Sequence, residues 1–202
     1  MKIICIGRNY AEHAKELNNP VPSKAVFFLK PATSLLRNGR PFFYPDFSQD
    51  IHYELELVVR INKMGKSIPQ AFALNYIDQI TLGVDFTARD LQADCKAKGL
   101  PWEIAKAFDY SALVGDYIPF RQESAEAYHF ELFKNGEKVQ DGHSKEMIFS
   151  FASIISYVSQ FITLRTGDLI FTGTPAGVGP VQPGDRLEGF LDGVRLVHTR
   201  IK

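Results

Sequence analysis

The chain of 202 residues is long enough to bury a real core and is most simply one domain. Its 23 basic and 23 acidic residues cancel, which removes the basic excess expected of a partner for nucleic acid or an anionic membrane, while still allowing a few local cations to hold a small anion. The two cysteines, Cys5 and Cys95, make neither a disulfide framework nor a metal-ligand spacing; with no signal-like amino terminus, the expected compartment is the reducing cytoplasm.

Residues 2–6 read as a short buried strand ended by Gly7. Asn9 with Glu12 three residues on has the capping-box pattern and predicts a helix over 10–17, stopping before Asn18-Asn19-Pro20. His13 and Glu16 lie three apart on one face of that helix. They form either an ordinary surface pair or a carboxylate-oriented imidazole that takes a proton from water. Residues 20–23 are loop, 25–29 a second strand, and Asn38-Gly39 a hairpin-type turn.

The stretch 51–61 alternates. Ile51, Tyr53, Leu55, Leu57, Val59 and Ile61 share one face, and His52, Glu54 and Glu56 begin the other. Two carboxylates side by side are either a solvated strand face or part of a cation site. Residues 69–76 suggest a helix, and 80–86 alternates again, with Asp85 on its minority polar face. That strand runs into Thr87-Ala88-Arg89-Asp90, which predicts a Thr87-capped helix to Lys98 with Gly99 as its left-handed stop. Asp85 needs a partner, either a cap, an ion pair or a shared cation. Beside Glu54 and Glu56 it would complete a hard oxygen site suited to Mg²⁺ or Mn²⁺. Lys106, in an apolar setting, is either a snorkelling surface lysine or a cation facing a developing oxyanion.

In the second half Asn135-Gly136 predicts a hairpin between 130–133 and 137–139. Residues 147–164 carry no charge, but their apolar and hydroxylated positions segregate to opposite sides, which argues a half-buried helix and not a membrane span. Gly167-Asp168, Gly184-Asp185 and Asp192-Gly193 punctuate strands at 169–172, 187–191 and 194–201. The glycine-rich run 172–180 lacks the Gly-Lys-Ser/Thr of a phosphate loop, and no Gly-x-Ser-x-Gly elbow is present. The run reads as a tight turn that exposes hydroxyls and backbone N–H groups. The class is α+β, with helices near 10–17, 88–98 and 151–162.

Seven stretches together resemble the fumarylacetoacetate hydrolase family, most nearly its acylpyruvase and oxaloacetate decarboxylase branch. They are Gly7-Arg8-Asn9-Tyr10-Ala11-Glu12-His13, Phe28-Leu29-Lys30-Pro31, His52-Tyr53-Glu54-Leu55-Glu56-Leu57, Asp85-Phe86-Thr87-Ala88-Arg89-Asp90, Lys98-Gly99-Leu100-Pro101-Trp102, Met147-Ile148-Phe149-Ser150 and Thr172-Gly173-Thr174-Pro175-Ala176-Gly177-Val178-Gly179. The resemblance implies one catalytic domain over 1–202, built on a mixed, strongly curved β-sheet with a few flanking helices and an amino-terminal lid over about 8–25. It implies Mg²⁺ or Mn²⁺ held by Glu54, Glu56 and Asp85, with His13, Glu16 and Lys106 as catalytic groups. Arg8, Gln92, Thr174 and Arg89, with Lys30 in addition, are implied as contacts for a small 2-oxo acid in a homodimeric enzyme. The implied reaction is hydrolysis of the C3–C4 bond of an acylpyruvate through a metal-bound pyruvate enolate, with oxaloacetate decarboxylation as a companion. The alternatives are an isomerase, tautomerase or hydratase of 2-oxo-diene acids, or a non-catalytic metal- or ligand-binding module.

Overall fold

A computed structural model describes residues 1–16 and 21–202. The strands in chain order are β1 (Ile3–Gly7), β2 (Val26–Lys30), β3 (Leu35–Arg37), β4 (Ile51–Tyr53), β5 (Leu55–Ile61), β6 (Ile77–Asp85), β7 (Thr87–Ala88), β8 (Ala112–Val114), β9 (Ile118–Pro119), β10 (His129–Lys134), β11 (Glu137–His143), β12 (Leu169–Phe171), β13 (Gly179–Pro180), β14 (Arg186–Leu191) and β15 (Val194–Arg200). The helices are α1 (Ala11–Glu16), α2 (Arg89–Lys98), α3 (Glu103–Lys106) and α4 (Phe151–Phe161), and a 3₁₀ turn covers Gln70–Tyr76. Among these described residues the main sheet runs β2-β1-β12-β5-β6-β8-β3, with β9 on β6. A second sheet runs β11-β10-β14-β15, and a small one β13-β4-β7. The result is the mixed, strongly curved α+β architecture expected from the resemblance.

The 51–61 stretch is not one strand. It breaks at Glu54, so that β4 pairs with β7 and β13 in the small sheet while β5 enters the main one. At the break the Leu55 N–H turns to the side-chain oxygen of Gln140 at 2.9 Å instead of a strand partner. Downstream, β5 is buried on both faces. Leu55, Leu57, Val59 and Ile61 enter the large core, and Val58 joins Ile3, Cys5 and Phe171 in a smaller cluster behind the sheet. Because side chains alternate, Glu54 and Glu56 share the face of Val58. They lie where that face reaches the end of the ladder.

Most local expectations hold, and the exceptions are instructive. Asn135 (φ 56) and Gly136 (φ 88) form the tight hairpin turn between β10 and β11, since two successive positive φ values match the strand twist. Gly99 ends α2 at φ 64. Ser150 caps α4, whose Phe151, Ile154, Ile155 and Val158 are buried; Ser159, expected on the outward hydroxylated side, is buried as well, and its Oγ accepts the Ile68 N–H at 2.9 Å. Among the described residues no helix is long and apolar enough to cross a membrane. Asn38-Gly39 does turn the chain, but it is no hairpin, because β3 pairs in parallel with β8. Asn9 does not cap α1. Its side chain donates to the Thr172 carbonyl at 2.7 Å and accepts from the Phe149 N–H at 2.7 Å, tying the chain after β1 to two distant loops. Thr87 does not cap α2 either: Ala88 holds that position without a side-chain bond. The predicted end of the first helix at Leu17, and part of the 8–25 lid, lie outside the described residues.

Candidate active site

The β5–β6 register decides the geometry. Leu55 pairs with Val84, so Glu54 stands opposite Asp85, and the Asp85 N–H donates to the Glu54 carbonyl at 2.9 Å. Glu56, two residues along, is on the same face. One oxygen from each of Glu54, Glu56 and Asp85 lies within 4.8 Å of the others, and all three residues are buried. Three carboxylates at this spacing cannot all be ionised without cations among them.

Lys106 supplies one cation. Its Nζ donates to Glu54 Oε2 at 2.8 Å, Asp85 Oδ2 at 2.7 Å and Thr87 Oγ1 at 2.6 Å. It is 3% exposed, which rules out a snorkelling surface lysine. Burial works against its charge, but Asp85 and Glu54 outweigh that and hold its pKa above the usual lysine range. Arg89 Nη2 adds a bond to Glu54 Oε1 at 2.5 Å. Burial opposes the Glu54 charge too; Lys106 and Arg89 more than offset it and keep its pKa well below the ordinary carboxylate range. Lys30 lies beyond the described cavity wall, against the expectation that it meets substrate. Its Nζ bonds Ser111 Oγ at 2.9 Å and the Lys106 carbonyl, and sits 2.7 Å from Asp85 Oδ1. It supports the site from behind.

Glu56 has no such partner. Its Oε2 accepts the Gly173 N–H at 2.6 Å, and no lysine or arginine pairs with it among the described residues. Burial first, and then the Asp85 charge, push its carboxyl well above the ordinary range. A buried carboxylate short of a cation, in a hard all-oxygen set with two others, fits a divalent ion of the Mg²⁺ or Mn²⁺ class.

The amino-terminal helix stands on the same cavity. His13 Nδ1 lies 3.1 Å from Glu16 Oε2, and Glu16 Oε1 accepts the Gly177 N–H at 3.1 Å. The glycine-rich turn therefore positions both Glu56 of the carboxylate cluster, through Gly173, and Glu16 beside His13, through Gly177. Both glycines have left-handed backbones (φ 100 and φ 96), and a Cβ on Gly177 would stand 2.2 Å from the Val139 carbonyl oxygen. Gly177→Ala is expected to lower stability by about 1–3 kcal/mol, because strain and overpacking act together; a urea melt checks it.

His13, Arg8, Arg89, Gln92, Lys106 and Thr174 line one small cavity of ≈ 40 Å³ together with Glu54, Glu56 and Asp85. Nine of the eleven residues expected to serve the site thus line one cavity; Glu16 acts from behind His13, and Lys30 stays behind Asp85 and Lys106. Gln92 Oε1 accepts from Arg89 at 2.7 Å, and Thr174 Oγ1 accepts from Gln140 Nε2 at 2.8 Å. Sequence reasoning missed Gln140, Lys96, Trp102 and Phe28. Gln140 left no signal beyond a polar position in a hairpin strand, whereas Arg89, Gln92 and Lys96 share a helical spacing that marks one face of α2.

Residues 2–202 match the family described as fumarylacetoacetate (FAA) hydrolase C-terminal. The chain belongs to the fumarylacetoacetate hydrolase family. Within it, the chain is 45% identical over 201 residues to the oxaloacetate tautomerase FAHD1, mitochondrial, of Mus musculus, covering 99% of this chain and 91% of that protein. It is 43% identical over 196 residues to the oxaloacetate decarboxylase, mitochondrial, of Dictyostelium discoideum, covering 96% and 89%. Among family structures, fumarylpyruvate hydrolase from Pseudomonas aeruginosa, in complex with Mn²⁺ and pyruvate, superposes with a TM-score of 0.93 at 40% identity, covering 100% of this chain and 89% of that one.

Proposed function

We propose that this family member is a divalent-metal-dependent enzyme that interconverts the keto and enol forms of a 2-oxo acid of the oxaloacetate type by moving a proton at C3. The observation that carries this is the placement of the His13–Glu16 pair on the wall that holds the three carboxylates. Glu54, Glu56 and Asp85 would hold Mg²⁺ or Mn²⁺. When bound, the ion draws charge from the C2 carbonyl oxygen and so acidifies the C3–H bond.

The chain's own groups do the rest. Ionised Glu16 accepts from His13 Nδ1–H and leaves the Nε2 lone pair as base for the C3 proton. Gly177 N–H on the second Glu16 oxygen fixes that orientation. Returning the proton to C3 gives the ketone, and protonation at oxygen gives the enol. Lys106 keeps its charge between Glu54 and Asp85 and so holds these two side chains spaced for the ion. Thr174 and Gln92 offer neutral hydrogen-bonding groups to substrate oxygens, and Arg89 offers charge.

The same dyad also equips the site for C–C hydrolysis; the relatives named oxaloacetate tautomerase and decarboxylase bring oxaloacetate forward. Acylpyruvate hydrolysis is the second reading, favoured by likeness to the fumarylpyruvate hydrolase along the whole chain. There His13 would activate water for attack at C4, and loss of CO₂ from oxaloacetate would need no attacking water. The buried free thiols of Cys5 and Cys95 suit a reducing compartment such as the cytoplasm. A homodimer, as the resemblance implies, would elute at twice the 22.8 kDa chain mass.

The test is a panel of enol-oxaloacetate, acetylpyruvate and fumarylpyruvate, followed by ultraviolet loss of the enol and by pyruvate release. Enol loss without pyruvate identifies the tautomerase; stoichiometric pyruvate from acylpyruvates identifies the hydrolase. Excess chelator is expected to remove either activity by at least about 10³-fold, and Mn²⁺ to restore it. Turnover that survives chelation excludes the metal role.

A further inference from the structure

Helix α2 presents Arg89, Gln92 and Lys96 to the cavity at intervals of three and four residues, one polar stripe on one face. The two cations on this stripe are differently committed. Arg89 is engaged at the inner end by Glu54 and Gln92. Lys96 lies about 10 Å further along the helix axis, at the solvent-facing end of the stripe, and no carboxylate among the described residues pairs with it. Its ammonium instead stands 5.7 Å from the centre of the Trp102 ring. That ring is itself braced edge-on by Phe28, with centroids 6.0 Å apart, and both aromatic rings line the cavity.

Arg8 approaches from the opposite side of the chain, after β1. It too lines the cavity without an ion pair among the described residues, and its backbone is left-handed at φ 59. A non-glycine residue held in that region costs about 1 kcal/mol or more, a strain that collects where a side chain must be aimed. Arg8, Arg89 and Lys96 are near enough to act on one another: after burial, the Arg89 and Arg8 charges are what hold the Lys96 pKa below the usual lysine range. Arg8 and Lys96, which have no acidic partner among the described residues, repel each other and Arg89 until an anion joins them. Once Glu54, Glu56 and Asp85 are matched by a divalent ion, this excess positive charge belongs to the substrate.

We propose that Lys96, assisted by Arg8, binds the distal carboxylate of the substrate and makes the site selective for dicarboxylic over monocarboxylic 2-oxo acids. This rests on the 2-oxo acid reading above and names the substrate class within it. The inner end of the cavity takes the C1 carboxylate and C2 oxygen beside Arg89, Gln92 and Thr174. The rim takes the second carboxylate. The contact of the Lys96 ammonium with the Trp102 ring restricts its rotamers before binding, so less freedom is lost when an anion joins it.

Trp102 is the single tryptophan of the chain, which gives a readout independent of turnover. With Mn²⁺ present, tryptophan fluorescence is titrated with malate, an unreactive dicarboxylate, and with lactate, its monocarboxylate counterpart, in the parent and in Lys96→Met and Lys96→Arg. Removing one charge-assisted contact is expected to lower the malate-over-lactate preference about 10- to 100-fold in Lys96→Met, with most of it restored in Lys96→Arg. In turnover the same variant is expected to raise KM for oxaloacetate more than it lowers kcat, and to lose less on oxaloacetate 4-methyl ester. An unchanged malate preference in a folded Lys96→Met overturns the proposal even if oxaloacetate turnover is normal. A Lys96-dependent malate preference in a protein that turns over no 2-oxo acid overturns the reaction and upholds the role of Lys96.

Discussion

Replacing Glu56 by glutamine is expected to remove Mn²⁺ binding and to lower kcat/KM by about 10³-fold or more, while making the metal-free protein more stable at neutral pH. The two effects share a cause. Glu56 is the site carboxylate with no lysine or arginine against it, and it is oriented by Gly173 N–H alone. As a ligand it contributes charge that an amide lacks; as a buried anion without a cation it strains the apo protein. The pH dependence follows with a definite sign. Its pKa is raised in the folded state, so between the unfolded carboxylate value near 4.3 and that raised value the native protein binds more protons than the unfolded chain. Apo stability therefore falls as pH rises through this window. Glu54 has the opposite sign, since its pKa is lowered by Lys106 and Arg89 against the effect of burial. Its contribution is present above the unfolded value and is lost as pH falls. Metal binding must displace the Glu56 proton, so Mn²⁺ affinity should increase with pH. Thermal melts of parent and Glu56→Gln from pH 5 to 8, with and without Mn²⁺, check all of this. A variant that keeps Mn²⁺ affinity and turnover would remove Glu56 from the metal set.

His13→Ala is expected to cost about 10²- to 10⁴-fold in enol–keto interconversion, the usual contribution of a positioned proton-transfer group, with Mn²⁺ affinity within about threefold of the parent because His13 is not among the three carboxylate ligands. Glu16→Gln should cost nearly as much, since with the side-chain carbonyl on Gly177 N–H the amide NH₂ would donate to His13 Nδ1 and place the ring proton on Nε2, where the base is needed. Acylpyruvate hydrolysis should fall as steeply as interconversion, because both need a base. Oxaloacetate decarboxylation should fall less, since carbon dioxide leaves without removal of a proton by His13. Stopped-flow absorbance for the enol and a coupled assay for pyruvate separate the three. Equal losses in all of them would mean that His13 shapes the cavity and does not move a proton.

The parts of the site differ in how openly the sequence displays them. The i, i+3 spacing of His13 and Glu16 already places them on one helical face, and the 3.1 Å contact follows from helix geometry once α1 forms. Glu54 and Glu56 are on one face by strand alternation alone. Misreadings cluster where a local rule met a distant partner. Asn9 and Thr87 have cap residue types in cap positions, yet Asn9 bonds Phe149 and Thr172, and Thr87 bonds Lys106. A tertiary hydrogen bond to a buried group outweighs a cap that water can replace. Gln140, 85 residues from the Leu55 N–H it accepts, has no local signature.

By itself the sequence determined the α+β class, the family and the periodic faces carrying its polar residues, because these depend on side-chain order over ten residues or fewer and on motifs strung along the chain. The tertiary structure decided which of those faces meet. Breaking 51–61 at Glu54 and pairing Leu55 with Val84 brings Asp85 opposite Glu54, and a slip of one residue in that register would turn Asp85 to the other side of the sheet. Register, and the turn whose Gly173 and Gly177 reach Glu56 and Glu16, are set by long-range packing. For that reason a carboxylate face could be suspected from alternation, but the meeting of Glu54, Glu56 and Asp85 is visible only in the folded chain.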